Sequence, residues 1–278
     1  MRLESQSQAL WESFPARYHD AVLIFTDLGD VTAIILVLSI LYWVGDRKKA
    51  AVVASYAAAA VAVFLILKTT FAMPRPEVEL IAREYDQYAF PSGHAFMSVV
   101  VYGGLLYVFE KHREPLALAA VTTLIGGISL SRIVLGVHYF GDVIAGVVFA
   151  IGFLVAMEWL TDRVPWRGFA IGGVLSVPAI LFTSGEGTVL AVIAFGAAIG
   201  GVIGTVRLEA IPPLRSRREA VLLTGVGLGF IVTVSLLESA IVGEQLLGIA
   251  VAHVILFTGI LLVPAAIGRI DHPLVGAA

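Results

Sequence analysis

The chain has 278 residues, of which 59% are hydrophobic and only 14% charged, with a formal net charge of −3. Mean hydropathy is +0.94. Soluble domains carry about 25% charged residues, so this composition excludes an ordinary soluble globular protein and points to a polytopic membrane protein. The absence of cysteine excludes disulfides and thiolate metal sites, and the small net charge gives no basis for a nucleic-acid partner.

Met1 to Asp20 lacks a long apolar run and carries Glu4, Glu12 and Asp20, which is not the pattern of a signal peptide. Leu10, Trp11, Phe14 and Tyr18 fall at helical spacing and predict an interfacial amphipathic helix; a solvated tail is the alternative. Apolar stretches then follow at about 24–44, 50–73, 93–110, 116–137, 143–161, 169–184, 188–206, 221–239 and 246–268. Runs this long are helices rather than barrel strands, because backbone groups inside a bilayer must bond within their own segment. The expected fold is therefore all-α, a membrane helical bundle of about nine spans. The stretch near 169–184 is short and contains Pro178, and a re-entrant hairpin there would lower the count.

Basic residues fall mainly in alternate loops: Arg47, Lys48 and Lys49; Lys111 and Arg113; Arg163 and Arg167; Arg207, Arg215, Arg217 and Arg218; and Arg269. The positive-inside rule makes that side cytoplasmic. The opposite loops after spans six and eight have no Lys or Arg, but those after spans two and four do contain basic residues, Arg75 and Arg83 in one and His138 in the other, and the exception invites a functional reading. Asp27 and Asp30, near the outer end of span one, suit helix capping or interfacial solvation. Gly196-x3-Gly200-x3-Gly204 predicts close helix packing. Glu238 and His253, unusual in apolar runs, suit a structural pair or a water-facing position. No soluble domain or internal repeat is evident.

Three clusters carry the chemistry: Lys68-x6-Arg75-Pro76 at the end of span two, Pro91-Ser92-Gly93-His94 at the start of span three, and Ser131-Arg132-x5-His138-x3-Asp142 from span four into span five. Helix parity puts all three at one membrane face, extracytoplasmic by the charge rule. Charge at the hydrocarbon edge is tolerated where it lines a polar cavity. Alone, Lys68 or Arg132 reads as a helix-end charge snorkelling to the interface; together the clusters read as an anion pocket. Arg matches phosphate oxygens with a fixed fork of donors, and Lys adds a point charge. Pro74 and Pro76 hold Arg75 extended. Ser92 is placed to cap the next helix, with the N–H groups of Ser92, Gly93 and His94 facing an anion. His138 and Asp142, four apart, share a helical face. A carboxylate on one ring nitrogen leaves the other free to attack phosphorus, and His94 can protonate the leaving oxygen. Arg83, Glu84, Tyr85 and Asp86 are candidates for a loop over the pocket, and Tyr85, Tyr88 and Phe90 for interfacial anchors.

In residue types, spacing and order, the three clusters resemble the signature motifs of the type 2 phosphatidic acid phosphatase (PAP2) family, over about residues 25–160. The resemblance implies a six-helix core and a covalent phosphohistidine intermediate without a metal or other cofactor. It implies His138 as nucleophile, Asp142 as its orienting partner and His94 as general acid. Lys68, Arg75, Ser92, Gly93 and Arg132 become phosphate ligands. The implied substrate is a lipid phosphate or diphosphate such as phosphatidic acid, phosphatidylglycerol phosphate or a polyprenyl diphosphate. A lipid phosphotransferase using the same intermediate is one alternative, and a non-enzymatic membrane transporter or scaffold is another. The expected organisation is an interfacial segment (1–20), a PAP2-like catalytic core (21–165) and a C-terminal transmembrane extension (166–278), in the cell membrane with the site facing outward.

Overall fold

The computed structural model describes residues 2–76, 88–242 and 245–268. Arg83, Glu84, Tyr85, Asp86 and Arg269 lie outside them. The described residues are helical apart from short connections, and their one bridge between extended segments pairs Pro74 with Tyr88.

In chain order the helices are α1 (Glu4–Ser13), α2 (His19–Leu28), α3 (Val31–Val44), α4 (Arg47–Phe71), α5 (Gly93–Ser98), α6 (Gly104–Val108), α7 (Pro115–Val134), α8 (Phe140–Thr161), α9 (Pro165–Phe182), α10 (Glu186–Thr205), α11 (Arg217–Leu237) and α12 (Leu246–Ile267). Every apolar stretch of the sequence is helical, but two depart from a straight span. The first is broken: α2 and α3 meet at 55°, where Gly29 and Asp30 interrupt the apolar run. The third, Gly93–Val108, is short, and a π-helical turn over Val99–Gly103 joins α5 to α6. Among the described residues, seven helices are long and apolar enough to cross a membrane, or eight if the bent pair counts as one span. Pro165–Phe182 is among the seven, so the 169–184 segment is a continuous helix rather than a hairpin.

The centre of the bundle is α4. Its alanine-rich middle, Ala57 to Ala60, is buried, and α3, α6, α9 and α10 all pack on it. Small side chains let those neighbours approach: a Cβ on Gly172 of α9 would lie 3.1 Å from the Ala59 nitrogen. The predicted glycine face of α10 lies against α12, where a Cβ on Gly196 or Gly200 would come within 2.5 Å of the Ala250 or Val254 carbonyl oxygen. Two buried hydrogen bonds fasten α12 to α3: Tyr42 Oη donates to Leu261 O and Trp43 Nε1 to Ile260 O, both at 2.9 Å. His253 and Glu238 face each other at 3.6 Å, the structural pair the sequence suggested.

Candidate active site

Backbone hydrogen bonds gather the three clusters at one end of the bundle. Ala89 N donates to Met73 O at 2.8 Å, closing the ends of the segment between α4 and α5. Ser92 N donates to Asp142 O at 2.9 Å, tying the start of α5 to the start of α8. Val137 N and His138 N both donate to Arg132 O at 3.2 Å, folding the α7–α8 turn back on its own helix. Gly136 takes a φ of 69° within that turn, a conformation that costs glycine little.

His138 is buried at 2% exposure. Its Nε2 lies 3.4 Å from Arg75 Nη1, which also donates to Val137 O at 3.0 Å. A guanidinium only donates, so Nε2 presents its lone pair there and the ring proton belongs on Nδ1. That atom lies 3.5 Å from Asp142 Oδ2, beyond the length of a formed N–H···O bond, and has no hydrogen-bond partner. Burial first, then the charges of Arg75, Arg132 and Lys68, hold the imidazole well below the ordinary histidine pKa against the opposing pull of Asp142. The ring is therefore neutral at pH 7, with its lone pair on Nε2.

Asp142 is fully buried and stands at the third position of α8, where its Oδ2 accepts from Tyr139 N at 2.9 Å. Both of its oxygens also accept from Arg2: Nε to Oδ1 and Nη2 to Oδ2, each 2.8 Å. Nothing in the sequence singles out Arg2.

His94 has a carboxylate partner as well, with Nε2 2.9 Å from Asp30 Oδ1. The α2–α3 break places Asp30 there. Gly29 permits the approach, because a Cβ on it would lie 3.0 Å from His94 Cδ2 and 2.9 Å from Ile128 Cγ2. Asp30 occupies the N-cap position of α3 but makes no side-chain cap. The capping role expected for it is absent, but its side chain stays 37% exposed while contacting His94, and Asp27 is exposed, so solvation holds for both.

Lys68 and Arg132 are both buried, which rules out snorkelling. Arg132 Nη1 donates to Thr26 Oγ1 at 3.4 Å, and Thr26 Oγ1 in turn pairs with Ser131 Oγ at 2.8 Å. Ser92 departs from the expected cap: it sits at the N-cap of α5 without a side-chain cap bond, and its N–H is taken by Asp142 O. Its Oγ is buried without a hydrogen-bond partner. A Cβ on Gly93 would lie 3.3 Å from Phe64 Cε2, so packing favours glycine there. Phe90 joins Phe71 and Phe149 in a ring cluster at centroid distances of 5.0–6.2 Å. Among the described residues no group of three His, Cys, Asp or Glu side chains is placed to hold a metal ion.

Residues 48–166 match the PAP2 superfamily model. That interval contains all three clusters and excludes Arg2 and Asp30. Phosphatidylglycerophosphatase B of Bacillus subtilis (strain 168) is 33% identical over 98 residues, covering 32% of this chain and 46% of that protein. The chain thus spans about half the length of that relative. No solved structure matches the chain.

Proposed function

With residues 48–166 as a PAP2 superfamily segment, we propose that the protein is an integral membrane phosphatase that removes phosphate from a lipid phosphate or diphosphate through a phosphohistidine intermediate. What supports this most is His138: a buried imidazole with Nε2 facing Arg75, grouped with Lys68 and Arg132, while a buried Ser92 Oγ lacks a partner nearby.

The steps follow from those positions. Arg75, Lys68, Arg132 and Ser92 Oγ hold the phosphoryl oxygens. His138 Nε2 attacks phosphorus as the bond to the lipid oxygen breaks, and His94 gives that oxygen its proton. Water then attacks the phosphohistidine, loses a proton to His94 and releases inorganic phosphate, restoring His138. Asp142 stabilises the positive charge that develops on the His138 ring. Asp30 holds His94 in place and offsets the Lys68 and Arg132 charges around it. Preorganised cations stabilise the transferring group, a task other enzymes give to metal ions.

The name of the Bacillus subtilis relative makes phosphatidylglycerol phosphate the first substrate to test, ahead of phosphatidic acid and polyprenyl diphosphates. The site is proposed to face the extracytoplasmic side of the cell membrane, from the basic loops at the other end. The test is phosphate release by detergent-purified protein, with EDTA present, from a panel of these lipids. His138→Ala should lower turnover by at least about 10³-fold, and vanadate, a mimic of five-coordinate phosphorus, should inhibit the wild type. Release that continues in His138→Ala would refute the mechanism, and activity lost in EDTA and restored by Mg²⁺ would refute its metal independence.

A further inference from the structure

Arg2 lies outside the PAP2 segment, yet its side chain bridges two of the three clusters. Its Nη1 donates to Pro74 O at 2.8 Å, the carbonyl that precedes Arg75. Its Nε and Nη2 grip both oxygens of Asp142, and its guanidinium carbon sits 4.5 Å from the Tyr139 ring centroid. The backbone is held too: Gly141 N donates to Arg2 O at 2.9 Å, and a Cβ on Gly141 would lie 2.7 Å from Arg2 Cα. Phe140 N donates to Ser7 Oγ at 2.9 Å, docking α1 on the same turn. The arginine side chain is 14% exposed and that of Asp142 is 0% exposed. A bidentate guanidinium fixes the plane of a carboxylate as well as its charge. In this protein the fixed plane decides how Oδ2 faces His138 Nδ1.

We infer that Arg2 is a positioning residue of the phosphoryl-transfer site, locking the Asp142 carboxylate in the orientation that serves His138 and making the amino-terminal segment part of that site. The kinetic side of this inference rests on the phosphatase reading above. Arg2 acts through Asp142 and leaves the phosphate to Lys68, Arg75, Ser92 and Arg132. The charged groups that bear on His138 are Asp142 from α8, Arg75 from the segment after α4, Lys68 from α4 and Arg132 from α7. Removing Arg2 leaves the negative charge of Asp142 less compensated, which favours the protonated His138 ring even as the carboxylate loses its fixed plane.

The test compares the full-length wild type with Arg2→Ala and Arg2→Lys in detergent, with folding checked by thermal unfolding. Arg2→Ala is expected to lower kcat by about 10- to 100-fold, the scale set by misplacing a catalytic group, with KM and vanadate inhibition unchanged. Millimolar methylguanidinium should restore part of the lost rate. Arg2→Lys keeps the charge but loses the fork and should fall between wild type and Arg2→Ala; it also serves if the alanine variant does not fold. A readout independent of turnover is the titration of His138 by histidine side-chain NMR, whose midpoint should rise in both variants. Vanadate affinity falling in step with kcat would make Arg2 a phosphate ligand and overturn the inference. A lowered unfolding temperature with kcat and the His138 midpoint unchanged would make it a mere anchor, and would overturn it equally. Wild-type protein that releases no phosphate would defeat the phosphatase reading, while the His138 midpoint would still decide the role of Arg2.

Discussion

The motif-bearing end of the bundle and the C-terminal helices α9–α12 solve opposite problems with the same kind of apolar helix. In α10 and α12 the contact is between backbones: Gly196 and Gly200 sit against carbonyl oxygens of the neighbouring helix, and the polar residues His253 and Glu238 face each other. At the motif-bearing end, three cations and two histidines are brought together, and Ser92 Oγ and His138 Nδ1 are buried without hydrogen-bond partners. The basic residues of the other end are treated differently again: Arg163 pairs with Glu158, and Arg215 with Glu219. Buried polar atoms without partners cost stability. At Ser92 Oγ a bound anion would supply the missing partner, so on the phosphatase reading proposed above the contrast is between helices that hold the bundle and a hydroxyl reserved for the phosphoryl group.

Variants can break that contrast or sharpen it. The largest effect after loss of His138 is expected at Asp30. Asp30→Ala removes the partner of His94 and should lower kcat by about 10²-fold, within the range for a general acid–base group, whereas Asp27→Ala should change it less than about twofold. Equal effects at the two positions, measured as phosphate release, would return Asp30 to the interfacial role its sequence position suggested. In the extension, Gly200→Leu should destabilise by on the order of 1–3 kcal/mol, as overpacking does, and lower the unfolding temperature. Turnover per folded molecule should stay close to wild type; a fall in turnover without loss of stability would tie α10 to the chemistry. The smallest effect is one of pH. Because burial and the neighbouring cations lower the His138 pKa, the neutral nucleophile persists below the ordinary histidine value of about 6.5, and the acid limb of kcat/KM should lie on the acid side of it. A limb at or above that value would mean that Asp142 outweighs burial and the cations.

Much of this was legible in the chain itself. The long apolar runs fixed the helices, because a membrane helix must satisfy its own backbone, and the predicted packing face of α10 follows from three glycines at a spacing of four. The three clusters were readable because each joins rare residue types for a membrane chain at a short spacing, and helix parity alone brings them to one end. The break between α2 and α3 was not readable. A Gly-Asp pair in an apolar run is compatible with a straight span, and only the packing of α2 beside α7 turns the chain there. The role of Ser92 was half readable: its position at a helix start is local, but the acceptor of its N–H, Asp142 O, comes from a distant turn.

What the sequence determined by itself is a bundle of long apolar helices and the meeting, at one of its ends, of the three clusters that hold His94, His138, Asp142, Lys68, Arg75, Ser92, Gly93 and Arg132. What only the tertiary structure decided is who stands behind the histidines. Asp30 lies 64 residues from His94 and Arg2 lies 140 residues from Asp142. No periodicity links positions so far apart, and a lone charge near a helix end looks the same whether it meets water or a buried partner. That choice is made by packing, when the bent α2–α3 segment and the docked amino-terminal segment bring their charges onto the two imidazole-bearing turns.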